Sequence, residues 1–262
     1  MSVQNSVVPS LERALNMIEY LSVHSNGATL KQLGDELDIP SASAFRLIKN
    51  LVNRGYVTEN TGGQTTYLLG PKIMSIAASY EKGSSLHIVA KPIMQYLANE
   101  LGQTVQLAIW RSGTLIYIDQ AFSSAPLSVI APLYEPVSVN VSASAKIILA
   151  LLPESVRTRA IDECPFIRLT QNTITDRDAY LKEVCKSGEQ GYGFDNEEFS
   201  LGIGCLAVPV FDGKKSCIGA LGITGSIQEY KKKALFQEML NTLRSASKRI
   251  TEGLGMGAVQ NT

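Results

Sequence analysis

Apolar residues recur at helical spacing three times within the first fifty-odd positions: Leu11, Ala14, Leu15, Ile18 and Leu21; Leu30, Leu33 and Leu37; and Ala44, Leu47, Ile48 and Leu51. Each set draws one apolar stripe along a helix with polar residues on the other side. The first helix is predicted to start near Ser10. The second opens at Thr29, whose hydroxyl can accept from the free amides of the first turn, and it stops at Asp38-Ile39-Pro40. Pro40 lacks a backbone donor and pushes Ile39 out of the α region, so the chain turns there. Ser41 is expected to cap the third helix and Gly55 to close it at the C′ position. Beyond Gly55 the period changes to that of strands. Tyr56-Val57-Thr58-Glu59 and Thr65-Thr66-Tyr67-Leu68-Leu69 flank the turn residues Asn60 to Gln64, which predicts a hairpin. Three helices followed by a two-stranded wing are the plan of a winged helix-turn-helix.

In the third helix the side away from the stripe carries Ala42, Arg46, Lys49, Asn50 and Asn53, with Ser43 at its edge. These are groove-facing residue types. Arginine forks onto guanine, asparagine onto adenine, lysine and serine meet phosphate, and a small alanine permits close approach. No acidic residue lies between Ser41 and Arg54. The whole segment 1–70 is nevertheless not basic, holding Arg13, Lys31, Arg46, Lys49 and Arg54 against Glu12, Glu19, Asp35, Glu36, Asp38 and Glu59. Affinity for DNA would therefore have to come from two or more such domains acting together, so a dimer at least is expected. Winged helices also serve protein-protein association, and that alternative stays open on these residues.

From Pro71 the pattern predicts a linker helix with Ile73, Ala77 and Tyr80 on one side, ended by Lys82-Gly83-Ser84-Ser85. A mixed α/β region follows. It has a helix over about 86–101, strands at 105–109 and 115–120 joined by Arg111-Ser112-Gly113, and a strand near Leu127–Ile130. Helices are predicted over 142–152, from Pro153-Glu154 onward, and over about 176–190. Two apolar strands, 206–211 and 217–224, flank the turn Asp212-Gly213-Lys214-Lys215. A long final helix carries Leu235, Met239, Leu243, Ala246 and Ile250 on one face and is expected to fray from Gly253. The expected organisation is a DNA-binding domain over 1–70, a linker helix over 71–84 and a second domain over 85–262.

At 262 residues with 45% hydrophobic and 18% charged residues the chain has ample material for a core, and its net charge of zero excludes generic polyanion binding. Residues 1–10 lack the basic and apolar segments of a signal peptide, and no stretch has the length of a membrane span, so a cytoplasmic protein without membrane contact is expected. Cys164, Cys185, Cys205 and Cys217 have no CxxC spacing, read as reduced thiols and are expected to be mostly buried. The two histidines, His24 and His87, have no carboxylate or thiol at ligand spacing. Gly202-Ile203-Gly204-Cys205-Leu206-Ala207 matches a dinucleotide fingerprint by letters, yet it precedes a strand instead of following one. No catalytic residue, metal site or cofactor is assigned. What remains is a polar cluster: Asp195-Asn196-Glu197-Glu198, Cys205, Thr224 and Ser226. Ser142 and Ser144 add a helix start, whose free amides suit a carboxylate.

Together the two halves resemble the isocitrate lyase regulator (IclR) family of bacterial transcription factors over nearly the whole chain. The resemblance is carried in the first half by Leu30-Lys31-Gln32-Leu33-Gly34-Asp35-Glu36-Leu37-Asp38-Ile39-Pro40, by Ala44 to Leu51, and by Arg54-Gly55-Tyr56-Val57. In the second half it is carried by Gly191-Tyr192-Gly193-Phe194-Asp195-Asn196 through Gly202-Ile203-Gly204-Cys205-Leu206-Ala207-Val208-Pro209-Val210-Phe211-Asp212. The resemblance implies an α+β chain: a winged helix-turn-helix joined by a linker helix to a GAF-like α/β effector-binding domain. It implies dimers or dimers of dimers on double-stranded operator DNA. It also implies effector contacts at Ala143, Ser144, Asp195, Ile203, Cys205, Gly222 and Thr224. The family often has serine at the Gly222 position, and His and Gly where this chain has Asn140 and Ala145.

An aspartate at position 195 would repel a bound anion unless it accepts from a ligand hydroxyl or is protonated, so a hydroxy or keto acid is the expected effector. The leading expectation is a metabolite-responsive transcription factor, a repressor in preference to an activator. The alternative from another class is an enzyme acting on a small acid and using the winged helix only for association.

Overall fold

In the computed structural model, which describes residues 8–82, 85–125 and 128–259, the chain divides into two units, Met1–Gly83 and Ser84–Thr262. The first contains α1 (Pro9–Val23), α2 (Leu30–Glu36), α3 (Ser41–Asn53), the strands β1 (Val57–Asn60) and β2 (Thr66–Leu69), and α4 (Pro71–Lys82). Its core is Met17, Leu21, Leu33, Ala44, Ile48, Leu51, Val57 and Tyr67. Thr29 opens α2 with a reciprocal cap: the Gln32 amide donates to Thr29 Oγ1 at 3.2 Å, and the Thr29 amide donates to Gln32 Oε1 at 2.8 Å. Gly55 closes α3 at φ 77°, donating to the Val52 carbonyl, while the Tyr56 amide reaches the Leu51 carbonyl, so both orphan acceptors are met.

Two expectations in this unit are corrected. Ser41 does not cap α3; the N-cap is Pro40, with no side-chain cap, and Ser41 is the first helical residue. Proline's fixed φ already turns the chain into the helix, and the Pro40 carbonyl accepts from Ser43 and Ala44. In α1 the buried residues are Met17 and Leu21, while Leu11 and Leu15 stay 56% and 44% exposed. The helix docks through 14, 17, 18 and 21, one side of the stripe drawn from the leucines.

The second unit contains α5 (Ser85–Leu101), β3 (Thr104–Arg111), β4 (Thr114–Ala121), β5 (Pro136–Val137), a 3-10 turn at Val139–Val141, α6 (Ala143–Leu151), α7 (Glu154–Asp162), α8 (Arg177–Gln190), β6 (Gly193–Asn196), β7 (Ile203–Phe211), β8 (Cys217–Ser226), α9 (Ile227–Tyr230) and α10 (Lys233–Val259). The strands form one sheet in the order β5-β4-β3-β8-β7-β6, with every neighbouring pair antiparallel. Side chains alternate between its faces. Along β7, Leu206, Val208 and Val210 join α5 and α10 in one core, while Cys205 and Ala207 face α6 and α8 in the other.

Here three expectations change. Residues 128–130 form no strand, Leu127 lies outside the described residues, and the sheet is closed at that edge by β5 instead. The polar run at 193–196 is a strand, β6, and β7 begins at Ile203, before Cys205. Helix α10 runs on past Gly253 to Val259. A Cβ at Gly253 would sit 2.6 Å from Val89 Cγ1, so this glycine lets α10 cross close to α5 and does not end the helix. Gly83, Ser84 and the Tyr80 side chain lie outside the described residues.

Candidate functional site

Two sites emerge, one in each unit. On α3 the residues Ala42, Arg46, Asn50 and Asn53 are exposed and Ser43 and Lys49 half-buried, so the six share the outer face opposite Ala44, Ile48 and Leu51. Two of them already have partners. Asn50 Nδ2 donates to the Arg46 carbonyl at 2.8 Å, and Lys49 Nζ lies 2.5 Å from Glu59 Oε1 on β1. The acid-free helix therefore receives one carboxylate from the wing.

In the second unit a cavity of ≈ 200 Å³ opens at the N-terminus of α6. Ser142 caps the helix, accepting from the Ala145 amide at 3.3 Å, which leaves the first-turn amides of Ala143 and Ser144 as the orphan donors of the helix start. The polar floor is Gln106, Tyr117, Ser142, Cys205 and Thr224; the walls are apolar, with Val129, Ile130, Val137, Ile167, Leu169 and Phe199 among them. Among the described residues, no lysine, arginine or histidine lines it. Thr224 Oγ1 donates to Gln106 Oε1 at 3.1 Å and lies 3.3 Å from Cys205 Sγ; Tyr117 Oη and Ser142 Oγ are 3.0 Å apart.

Of the seven expected effector contacts, the cavity gathers Ala143, Cys205 and Thr224. Ser144 is buried behind Ala143, its Oγ 3.5 Å from where a Gly222 Cβ would lie, so both belong to the seam between α6 and the sheet. Ile203 is two residues along β7 from Cys205, paired with Ser226, and does not line the cavity. Asp195 is paired with Cys205 across β6 and β7 and is fully buried. Its Oδ1 accepts from the amides of Glu198 (2.6 Å) and Phe199 (3.4 Å), so it shapes the turn after β6 from behind the cavity floor.

Residues that the sequence does not place among the ligand contacts surround the cavity. Lys146 has a side chain wholly out of water; Nζ meets the Glu198 carboxylate and the Phe194 carbonyl, each at 2.7 Å. A lone lysine between Ala145 and Ile147-Ile148-Leu149 was the available signal, as was Gln106 within the apolar run Val105-Leu107-Ala108. Asn140 is fully buried and donates to the carbonyls of Ile167 and Ile174, each at 2.9 Å, pinning the loop that brings Ile167 and Leu169 to the cavity. Thr170 and Thr173 hydroxyls donate to the Glu197 and Glu198 carbonyls, each at 2.6 Å, tying that loop to the turn bearing Phe199.

Burial sets the protonation of this region. It pushes the Asp195 carboxyl up from its ordinary range, against the Glu198 amide and the Lys146 charge, and holds Glu198 up to about 7 although Lys146 pulls the other way. Burial, with the neighbouring Asp195 charge, drives the Cys205 thiol well above its ordinary value, and Tyr117 is pushed up to about 12 mainly by burial. Cys205 is thus a neutral thiol and not a nucleophile. His87, the histidine of this unit, faces Asp119 at 3.6 Å. The cavity can hold a ligand through neutral donors and helix amides; among the described residues no nucleophile-base pair faces it.

The families described as "IclR helix-turn-helix domain" and "Bacterial transcriptional regulator IclR C-terminal" match residues 10–61 and 78–252. The transcriptional repressor IclR of Escherichia coli is 26% identical over 222 residues, covering 84% of this chain and 81% of that protein. The HTH-type transcriptional repressor AllR of Escherichia coli is 25% identical over 249 residues, 95% of this chain and 91% of that one. Among solved structures, Thermotoga maritima IclR superposes with a TM-score of 0.80 at 22% identity, covering 94% of this chain and 99% of that chain. An IclR homolog from Microbacterium hydrocarbonoxydans, complexed with 4-hydroxybenzoate, gives 0.78 at 22%, covering 94% and 98%. These structures establish the fold, a helix-turn-helix domain followed by an α/β domain with a curled sheet. With matches to both domains across most of its length, the chain belongs to the IclR family of bacterial transcriptional regulators, which are not enzymes.

Proposed function

We propose that this protein is a repressor that binds double-stranded operator DNA through α3 and releases or tightens that grip when a small organic acid occupies the cavity at α6. Residues 1–70 act as the DNA-binding domain, 71–84 as the linker and 85–262 as the effector domain. Arg46, Asn50 and Asn53 face base edges, Ala42 allows close approach, and Ser43 meets phosphate. Lys49 belongs to the same face with its charge already met by Glu59. Reading adenine with Asn50 requires giving up its bond to the Arg46 carbonyl.

The observation that carries the effector half is the cavity's composition: helix amides and neutral hydroxyls on the floor, apolar walls, and no cationic side chain among the described residues of the lining. Such a site suits one carboxylate on a compact apolar or hydroxylated body, held weakly enough to act as a signal. The structural neighbour bound to 4-hydroxybenzoate supports an organic acid, and the repressor relatives support the direction of control. Ala143, Cys205 and Thr224 contact the ligand directly; Ser144, Asp195, Ile203 and Gly222 act through the seam and turn behind it.

Because the first unit is not basic overall, two copies acting together supply the affinity, as a dimer or dimer of dimers, with paired α3 helices about 34 Å or a multiple apart. The testing experiment selects bound fragments from random and genomic DNA with the full-length protein at fixed near-physiological salt. A palindromic site with helical-turn spacing is the expected result. Folded, oligomeric protein that enriches no sequence, with or without a panel of organic acids, would reject the reading.

A further inference from the structure

Phe45 is the fifth residue of α3 and is 48% exposed. On the helix surface it neighbours Ala42 at i−3 and Lys49 at i+4, so it borders the outer face in the half of the helix that meets base edges in helix-turn-helix proteins. Lys49 Nζ stands 5.7 Å from the ring centroid and is held at 2.5 Å by Glu59 Oε1 on the wing. One face of the ring thus lies beneath a cation whose own place is fixed by a carboxylate on another element.

We infer that Phe45 reads a thymine methyl in the major groove and that Glu59, through Lys49, is the positioning residue that holds the ring for it; this rests on the DNA-binding reading above. A phosphate would have to displace Glu59 to recruit Lys49, so the lysine's work is done on the ring. Of the groups the bases present in the major groove, the 5-methyl of thymine is the apolar one. An aromatic ring presenting an apolar edge there discriminates thymine from every base lacking that methyl. Burying one methyl is worth about a fourfold change in affinity.

The test uses the full-length protein and the duplex it selects, with each thymine in turn replaced by deoxyuridine, which removes the methyl and keeps the pairing. One thymine per half-site should weaken binding about fourfold on replacement in the parent and have no effect in Phe45→Ala, an exposed substitution that leaves the core alone. Glu59→Gln should shrink the methyl effect and steepen the salt dependence of binding by about one unit of log-log slope per domain, as Lys49 is released to phosphate. A parent insensitive to every methyl, or a Phe45→Ala variant with the parent's sensitivity, overturns the assignment. An unchanged methyl effect in Glu59→Gln overturns the positioning role. Failure to enrich any sequence removes the DNA-binding reading itself, a result distinct from an enriched site that ignores the methyl.

Discussion

Lys146 and Glu198 form an ion pair at 2.7 Å with the lysine side chain wholly out of water, and they join the helix that opens the cavity to the turn that carries Phe199. Removing one partner strands the other. Lys146→Met should cost about 3–5 kcal/mol, measured by denaturant unfolding of the full chain, whereas a cost under about 1 kcal/mol would mean that the pair is solvated in solution.

The sign of the pH dependence follows from Glu198. Burial holds its folded-state value up to about 7, above the 4.5 of the unfolded chain, so the folded state binds the extra proton between those values. Its contribution is therefore most favourable below about pH 4.5 and is lost as pH rises through 7. Glu198→Gln should flatten this part of the curve, so that urea midpoints at pH 5 and pH 7 differ less in the variant than in the parent. Identical slopes in the two proteins would refute the assignment.

Arg46→Ala is expected to weaken operator binding by about 1–3 kcal/mol and to relax preference at one base pair. Binding curves at one fixed salt concentration, on matched and single-substituted duplexes, separate this from a phosphate contact, which would weaken all sequences alike.

Thr224→Val removes a hydroxyl from the cavity floor and leaves Gln106 without that donor. Ligand affinity should fall about fivefold, the worth of one neutral hydrogen bond, while operator binding without ligand stays at the parental level. Thermal-shift titrations with a panel of aromatic, hydroxy and keto acids provide the readout, and equal shifts in variant and parent would place the ligand elsewhere.

At Gly193 a Cβ would come 2.0 Å from the Ala143 carbonyl, because β6 passes directly beneath the start of α6. Gly193→Ala must push that helix start away, at a cost of about 1–3 kcal/mol or more. Melting temperature and ligand response should drop together. A variant with lowered stability but parental ligand affinity would show that α6 relaxes elsewhere.

Which of these features the sequence displays depends on how far apart the partners lie. Thr29 with Gln32, Pro40, and Gly55 with Tyr56 are local devices, and each is legible because the groups that satisfy one another sit within a few residues. Ser41 does not cap α3, because proline's φ does the work a cap would do. The cavity is non-local: Gln106 meets Thr224, Lys146 meets Glu198, and Asn140 meets Ile174, with no periodicity to announce any of them. Residues 128–130 have strand composition but form no strand, whereas Gly193 to Asn196, poor in strand formers, are recruited by the open edge of β7. The helix start at Ser142, Cys205 and Thr224 point to the cavity from sequence, with the family likeness adding Ala143; its floor through Gln106 and Tyr117 becomes visible only once the strands are paired.

The alternation of side chains across the sheet also has a consequence for β7. Leu206, Val208 and Val210 belong to the layer built with α5 and α10, while Cys205 and Ala207, one residue away along the same strand, belong to the layer built with α6 and α8. On the effector reading proposed above, substitution at Cys205 changes the cavity floor without disturbing the scaffold on the reverse face. On that reading, the two faces of one strand separate the part that meets a ligand from the part that keeps the domain folded.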